Sequence, residues 1–339
     1  MLNMKTIKIA INGFGRIGRQ FLKAALENKS LDIAAINDLG DIKNLAYLLE
    51  FDSVYGRYDK KIAIENNELI INGKKIKYFK ESNPEKLPWK ELGIDVVVES
   101  TGFFTSYEKA KAHLDAGAKR VVLSAPAKDD GKTVTATPNV NIAAIKNSNI
   151  TSNASCTTNA ITPIAAIMSK NPGIKYSILN TIHGYTSTQN IVDGPHKDFR
   201  RGRTAGLNII PTSTGAAIAA AKAIPEMRDK FDGVAIRVPI ATGSILDFTF
   251  IAERKTSVKE INDILFWEAQ KDEWKDILEV TDKPLVSSDI IKNKHGAIVD
   301  MALTRVVGET LVKIMVWYDN EWGYANMLLK HVLSLTPFL

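Results

Sequence analysis

One cysteine occurs in the 339 residues. Cys156 stands in the run Ser152-Asn153-Ala154-Ser155-Cys156-Thr157-Thr158-Asn159, where a strand-like stretch gives way to a helix-like one. A thiol at a helix start meets unpaired N–H groups and the positive end of the helix dipole, and both favour thiolate. His183 lies 27 residues on, at the end of the next apolar run. Such a histidine can hold the thiolate as an ion pair, then serve as base and acid in turn. The polar neighbours of Cys156 argue against a merely buried, apolar role for it.

A second constellation opens the chain. Gly13-Phe14-Gly15-Arg16-Ile17-Gly18 fits G-x-G-x-x-G, follows a strand pattern and opens a helix, with Asp38 twenty residues past Gly18. This context reads as a dinucleotide fingerprint. The glycines permit a tight turn and close approach to a pyrophosphate, which the helix start attracts. Asp38 accepts hydrogen bonds from ribose hydroxyls and repels a 2′-phosphate, which favours NAD over NADP. A nucleophilic sulfur, a base and a dinucleotide site together imply oxidation of an aldehyde through a covalent intermediate.

Three further stretches suit an anion. The segment His196-Lys197-Asp198-Phe199-Arg200-Arg201-Gly202-Arg203 is locally basic. Pro211-Thr212-Ser213-Thr214-Gly215 precedes an Ala-rich helix and offers hydroxyls at its start. Arg237 interrupts an apolar strand, 234–238, where a guanidinium needs a partner such as a substrate phosphate.

The elements that must position these residues alternate in the first third. Strands are expected at 5–11, 31–37, 95–99 and 120–124, with helices at 16–27, 41–50 and 107–116. Short strands are expected at 63–71 and 74–79, joined by an Asn72-Gly73 turn. This rhythm predicts an α/β doubly wound parallel sheet. The second half differs. A helix at 157–169 leads to a strand at 175–183, then to a stretch without periodicity at 184–208. Longer strands at 233–239, 244–253 and 311–317, a helix at 258–269 and a last helix from near Glu321 predict an α+β domain with a mostly antiparallel sheet.

Composition bounds the class. An apolar fraction of 45% and a charged fraction of 24% are ordinary for a globular protein, and the length suggests two domains. One cysteine excludes an intrachain disulfide and fits a reducing compartment. No signal-like or membrane-spanning stretch is expected. The net charge of +6 is modest and is read as an aid to solubility.

These residues resemble those of the phosphorylating glyceraldehyde-3-phosphate dehydrogenase family of the bacterial and eukaryotic type. The likeness runs from Ile7 to about Leu333. Besides the fingerprint and the Ser152 to Asn159 run, it rests on Asn37-Asp38, Glu99-Ser100-Thr101-Gly102, Ser124-Ala125-Pro126, Pro195-His196-Lys197-Asp198 and Trp317-Tyr318-Asp319-Asn320-Glu321. The resemblance implies a Rossmann-like NAD-binding domain at 1–155, with a C-terminal helix at 321–339 packing back on it, and a catalytic domain at 156–320. It implies Cys156 as nucleophile and His183 as its activator. Gly13, Gly15, Arg16, Ile17, Asp38, Ser124 and Asn320 would serve NAD, with Asn320 holding the carboxamide. Ser155, Thr157, Thr214 and Gly215 would hold inorganic phosphate. Thr186, Arg201 and Arg237 would hold the phosphate of glyceraldehyde 3-phosphate. The stretch at 184–208 would pack between subunits of a homotetramer. No metal, membrane or dedicated nucleic-acid site is implied, and the location would be cytoplasmic. The implied reaction is glycolytic oxidation and phosphorylation to 1,3-bisphosphoglycerate. Alternatives on one scaffold are an erythrose-4-phosphate dehydrogenase, in which water resolves the thioester, and a non-catalytic nucleotide- or RNA-binding paralogue.

The chain departs from the family in places. Ala160 replaces a second cysteine, so oxidation of Cys156 should end in sulfenic acid or mixed disulfides. Thr188, Gly194 and Ser82 replace residues involved in cofactor choice, whereas Leu39 after Asp38 is kept. NAD is expected to be preferred, with weak NADP use. Gly184 and Ile240 also differ from frequent family residues.

Overall fold

The computed structural model describes residues 6–129 and 131–339. Two compact units emerge. One comprises the residues up to Ala136 together with Ile142–Ala154 and Leu328–Leu339; the other comprises Thr137–Asn141 and Ser155–Met327.

The first unit runs β1 (Ile7–Asn12), α1 (Arg16–Leu26), β2 (Leu31–Asn37) and α2 (Ile42–Glu50), then a two-stranded ribbon of β3 (Phe51–Asp52) and β4 (Gly56–Arg57). A meander of β5 (Ile62–Glu65), β6 (Glu68–Ile71) and β7 (Lys74–Phe79) follows. After it come α3 (Trp89–Leu92), β8 (Val96–Glu99), α4 (Tyr107–Asp115), β9 (Arg120–Leu123), β10 (Val134–Thr135) and β11 (Ile150–Ser152). Its sheet has the order β10-β11-β9-β8-β1-β2-β7-β6-β5. Every pair from β10 to β7 is parallel, and the last two are antiparallel.

The central order β7-β2-β1-β8-β9-β11 is that of the dinucleotide-binding doubly wound sheet. Its crevice opens where the winding reverses, between β1 and β8. Helices cover both faces. Ile9, Ile11, Phe21 and Leu22 pack on one side, and Ala10, Val97, Trp89 and Ala110 on the other.

The expected first strand began at Lys5, which lies outside the described residues. Strand β1 is buried on both faces, as a central parallel strand requires. The single strand expected at 63–71 is two, because Asn66 and Asn67 both adopt positive φ, 49° and 60°, and turn the chain. Asp41 caps α2 through the N–H groups of Lys43 and Asn44 rather than joining it.

The second unit contains α5 (Cys156–Lys170), β12 (Ile174–Gly184), β13 (Ile210–Ser213), α6 (Ala216–Ala223), β14 (Phe231–Val238), β15 (Ser244–Ala252) and α7 (Val258–Ala269). Then come β16 (Leu278–Thr281), β17 (Ala297–Val307), β18 (Leu311–Tyr318) and α8 (Trp322–Ser334). The sheet order is β13-β14-β12-β15-β18-β17-β16. Only β12–β14 and β16–β17 are parallel. Residues of α5, α6 and α7 bury one face with Leu179, Phe248, Val299 and Ile314. The opposite face leaves Tyr176, Ile178 and Val234 exposed. Helix α8 spans the division: Met327 belongs to the second core, and Leu328 and Val332 to the first. Among the described residues, no helix is long and apolar enough to cross a membrane.

Candidate active site

In the first unit a cavity of about 530 Å³ sits at the reversal point. Its walls include Asn12 at the end of β1, Gly13 and Gly15 after it, Asp38 and Leu39 after β2, Glu81 and Ser82 after β7, and Ser100 and Thr101 after β8. Gly13 has φ +94°, and a Cβ there would lie 2.6 Å from the Thr101 nitrogen. A side chain at Gly15 would project into open space, the room that a pyrophosphate needs. No side chain caps the start of α1 at Gly15, so the helix keeps an anion-attracting end.

Asp38 lines this cavity and is held from behind. One carboxylate oxygen accepts from the Phe14 N–H at 2.6 Å, the other from the Gly40 N–H at 2.8 Å. Among the described residues, no lysine or arginine lines the cavity. A 2′-phosphate would therefore meet the Asp38 and Glu81 carboxylates and no lining cation. The residues fit NAD. Four expected contacts, Arg16, Ile17, Ser124 and Asn320, lie outside the lining. Arg16 turns its guanidinium to Asp52 at 2.8 Å and over the Tyr55 ring, so any pyrophosphate contact from 16 and 17 comes from the backbone at the helix start. Ser124 stands just past β9, its N–H donating to the Glu99 carbonyl at 2.9 Å.

The thiol lies in the second unit, at the first residue of α5. Ser155 is the cap, and its Oγ accepts from the Thr158 N–H at 3.1 Å. Two residues before Cys156, Ala154 adopts φ 55°, a left-handed conformation that is costly for alanine. Cys156 Sγ is 3.3 Å from His183 Nε2. Strand pairing accounts for the base's surroundings: β12 and β14 run parallel with His183 opposite Arg237. Arg237 Nη1 is 2.5 Å from His183 Nδ1 and 3.1 Å from the Gly184 carbonyl, which is itself 2.6 Å from Nδ1.

These contacts compete. Nδ1 cannot donate to Gly184 and accept from Arg237 together. With the hydrogen on Nδ1, Nε2 offers the thiol a lone pair. With Nδ1 accepting from Arg237, the hydrogen sits on Nε2. Burial, reinforced by the Arg237 charge, pushes the His183 pKa down to about 3. Burial also pushes the Cys156 thiol up, against the pull of Arg237. Both shifts oppose the expected thiolate–imidazolium pair and favour a neutral imidazole, with the Arg237 guanidinium as the charge that acts on both groups.

Tyr318, which sequence reasoning left without a role, ties the helix to the sheet. Its hydroxyl lies 2.9 Å from Thr157 Oγ1 and 2.7 Å from Thr181 Oγ1, and its ring meets that of His183 edge-on. Thr157 is therefore engaged by Tyr318. Asn320 is buried, and its carbonyl accepts from Thr242 and Ser244 at 3.1 and 2.8 Å, which keeps its amide hydrogens for another partner.

The anion candidates are pre-engaged. Arg201 Nε donates to Thr212 Oγ1 at 2.8 Å and lies 3.4 Å from Asp198. Thr186 Oγ1 pairs with Thr188 at 2.8 Å. Thr214 Oγ1 accepts from the Ala216 N–H at 3.2 Å, and Gly215 precedes α6. The word 211–215 is not wholly a helix start: its first residues belong to β13, paired with β14. The stretch at 184–208 forms no helix or strand past Gly184. It is folded on itself through Asn190–Arg201 and Gly194–Gly202 backbone bonds.

Comparison with known proteins bears on the whole chain. Residues 155–320 match the C-terminal domain of glyceraldehyde 3-phosphate dehydrogenase, and residues 7–107 match the NAD binding domain of that family. The chain is 48% identical over 332 residues to a glyceraldehyde-3-phosphate dehydrogenase of Mycolicibacterium smegmatis, covering 95% of this chain and 96% of that one. A Mycobacterium tuberculosis protein of the same name is 48% identical over 335 residues, 96% and 98% of the two chains. One from Clostridium pasteurianum is 46% identical over 329 residues, 95% and 96% of the two chains.

Proposed function

Because the chain belongs to the glyceraldehyde-3-phosphate dehydrogenase family, we propose that it oxidises D-glyceraldehyde 3-phosphate and phosphorylates the product to 1,3-bisphosphoglycerate, with NAD as oxidant. The observation that carries this reading is the approach of Cys156 Sγ to His183 Nε2 at 3.3 Å, with Arg237 behind the ring.

Bound NAD supplies the hydride acceptor. The aldehyde's phosphate draws Arg237, with Arg201 and Thr186 as further anchors. Departure of Arg237 from Nδ1 lets that nitrogen donate to Gly184 and leaves Nε2 as the acceptor facing the thiol. Cys156 sulfur bonds to the aldehyde carbon, and its proton passes through His183 to the carbonyl oxygen. Nε2 then takes the hydroxyl proton as the C–H electron pair leaves as hydride, and a thioester forms on Cys156. Inorganic phosphate attacks that carbonyl, and the C–S bond breaks. Ser155, Thr157, Thr214 and Gly215 are the proposed phosphate site, which requires their present hydrogen bonds to rearrange. The Cys156 N–H at the helix start would stabilise each oxyanion, a kind of contact worth about 3–4 kcal/mol in other enzymes. Asn320 would hold the carboxamide of NAD, and Asp38 its ribose.

A homotetramer is part of the proposal. Ile191, Phe199 and Leu207 are more than four-fifths exposed on the loop at 184–208, and Tyr176, Ile178 and Val234 are bared on the sheet. Apolar surface of this kind suits association. The proposed location is the cytoplasm, which suits a lone cysteine that must stay reduced. An absorbance assay of NADH formation tests the reaction. Turnover should require both glyceraldehyde 3-phosphate and inorganic phosphate; turnover indifferent to phosphate would favour the water-resolved alternative.

A further inference from the structure

Away from the thiol, the first unit buries a second histidine. His113 of α4 is fully inaccessible, as is Trp89 of α3, and Glu99 at the end of β8 is 2% exposed. The Trp89 indole N–H, which can only donate, points at His113 Nδ1 at 3.1 Å. Nδ1 therefore carries no hydrogen, and the ring's N–H sits on Nε2. That nitrogen lies 3.1 Å from Glu99 Oε2. The Asn12 amide donates to the same oxygen at 2.5 Å, and the Thr101 N–H and hydroxyl donate to Oε1. Asn12 Nδ2 is also 3.3 Å from Nε2, which makes the two groups neighbouring donors to one oxygen rather than partners.

The chain of bonds continues under the cofactor cavity. Asn37 Nδ2 donates to Asn12 Oδ1 at 2.7 Å, and the Glu81 N–H donates to Asn37 Oδ1 at 2.9 Å. Asn12, Asn37, Glu81 and Thr101 line the cavity; Trp89, His113 and Glu99 do not.

We propose that His113 is a positioning residue for the cofactor. Trp89 sets its tautomer, its Nε2–H fixes Glu99, and Glu99 fixes the Asn12 and Thr101 walls of the cavity. The proposal rests on the reading of that cavity as the NAD site. A buried carboxylate that loses one donor must turn to recover it or bear the loss. Turning breaks its bond from Asn12 and so loosens Asn12, and through it Asn37 and Glu81. The effect on catalysis is therefore on binding of NAD, with a rise in its KM and a smaller change in kcat.

Two substitutions separate positioning from filling. In His113→Gln the amide nitrogen falls where Nε2 stood and still reaches Glu99. In His113→Asn the amide falls at the Nδ1 place, so Trp89 keeps an acceptor and Glu99 loses its donor. NAD affinity, measured by quenching of protein fluorescence on the full chain, should fall about tenfold or more in H113N and stay within about threefold in H113Q. Equal affinity in both variants and the wild type would overturn the proposal, as would equal losses in both. Wild-type protein that binds no NAD would instead contradict the reading of the cavity and, with it, the proposal. Should the variants fail to fold, nitrogen-15 spectra of histidine-labelled wild-type protein decide the matter. A fully buried ring with its hydrogen on Nε2, whose resonances move on addition of NAD, is expected. A hydrogen on Nδ1, or resonances blind to NAD, would overturn it.

Discussion

Two of the buried histidines, His113 in the first unit and His183 in the second, show how the same side chain serves opposite ends. Each His113 ring nitrogen has one role: Trp89 donates to Nδ1, and Nε2 donates to Glu99. His183 has an unresolved contest at Nδ1, where a cation and a carbonyl both lie within 2.6 Å. A ring whose hydrogens have no alternative holds its neighbours still. A ring whose hydrogen can sit on either nitrogen is ready to move a proton. Sheet geometry produces the difference. His113 reaches inward from a helix against the end of a parallel strand, whereas parallel pairing of β12 with β14 forces Arg237 beside His183.

The largest expected effect breaks this contrast at the mobile ring. His183→Asn should lower kcat by about 10²–10⁴-fold, the usual range for a general base, with NAD affinity unchanged in titrations. A loss of NAD affinity without a loss in kcat would assign His183 the holding role given to His113. Next in size is Arg237→Gln, which removes the cation that adds to burial in depressing the His183 pKa. The KM for glyceraldehyde 3-phosphate should rise by about tenfold or more, and the imidazole should titrate nearer its ordinary range. The pH–rate profile should then gain an acid limb above that of the wild type. A profile with an unchanged acid side would contradict the contest at Nδ1.

How much of this could be read from the chain follows the same division. Cys156, His183 and the glycine fingerprint stand in short words whose chemistry is local. The Arg237–His183 contact is invisible in sequence, because it depends on the register of two strands 54 residues apart. His113 carries no motif; its role needs α3, α4 and β8 in place. Strand β17 also escaped the pattern, since Asp300 breaks its apolar run while buried and accepting from the Trp317 indole at 3.2 Å. The turn between β5 and β6 is hidden because the asparagines at 66 and 67 sit inside an otherwise strand-like run, and only their positive φ marks it. Tyr318 stands in the word 317–321, but its role is hidden in sequence, since both of its partners lie more than 100 residues away.

The smallest effect sharpens the contrast through stability. His331 in the first unit is buried and depressed to about 4, and His183 in the second to about 3. Both rings are neutral in the native state and bind protons on unfolding as pH falls below about 6.5. Each therefore contributes stability that is fully present above that pH and lost as pH falls toward its native value, at most about 1.4 kcal/mol per pH unit. Denaturant midpoints between pH 7 and 5 should fall with pH. His331→Gln should flatten that fall, and an unchanged slope would show that its burial carries no proton linkage.

The central claim is that Cys156 carries the oxidised substrate as a thioester. The direct measurement is intact and peptide mass spectrometry of enzyme mixed with NAD and glyceraldehyde 3-phosphate in the absence of phosphate, then quenched in acid. A phosphoglyceroyl group on the Cys156 peptide, cleared when phosphate is added before the quench, is the predicted result. NADH formation with no adduct at Cys156, or with an adduct indifferent to phosphate, would contradict it.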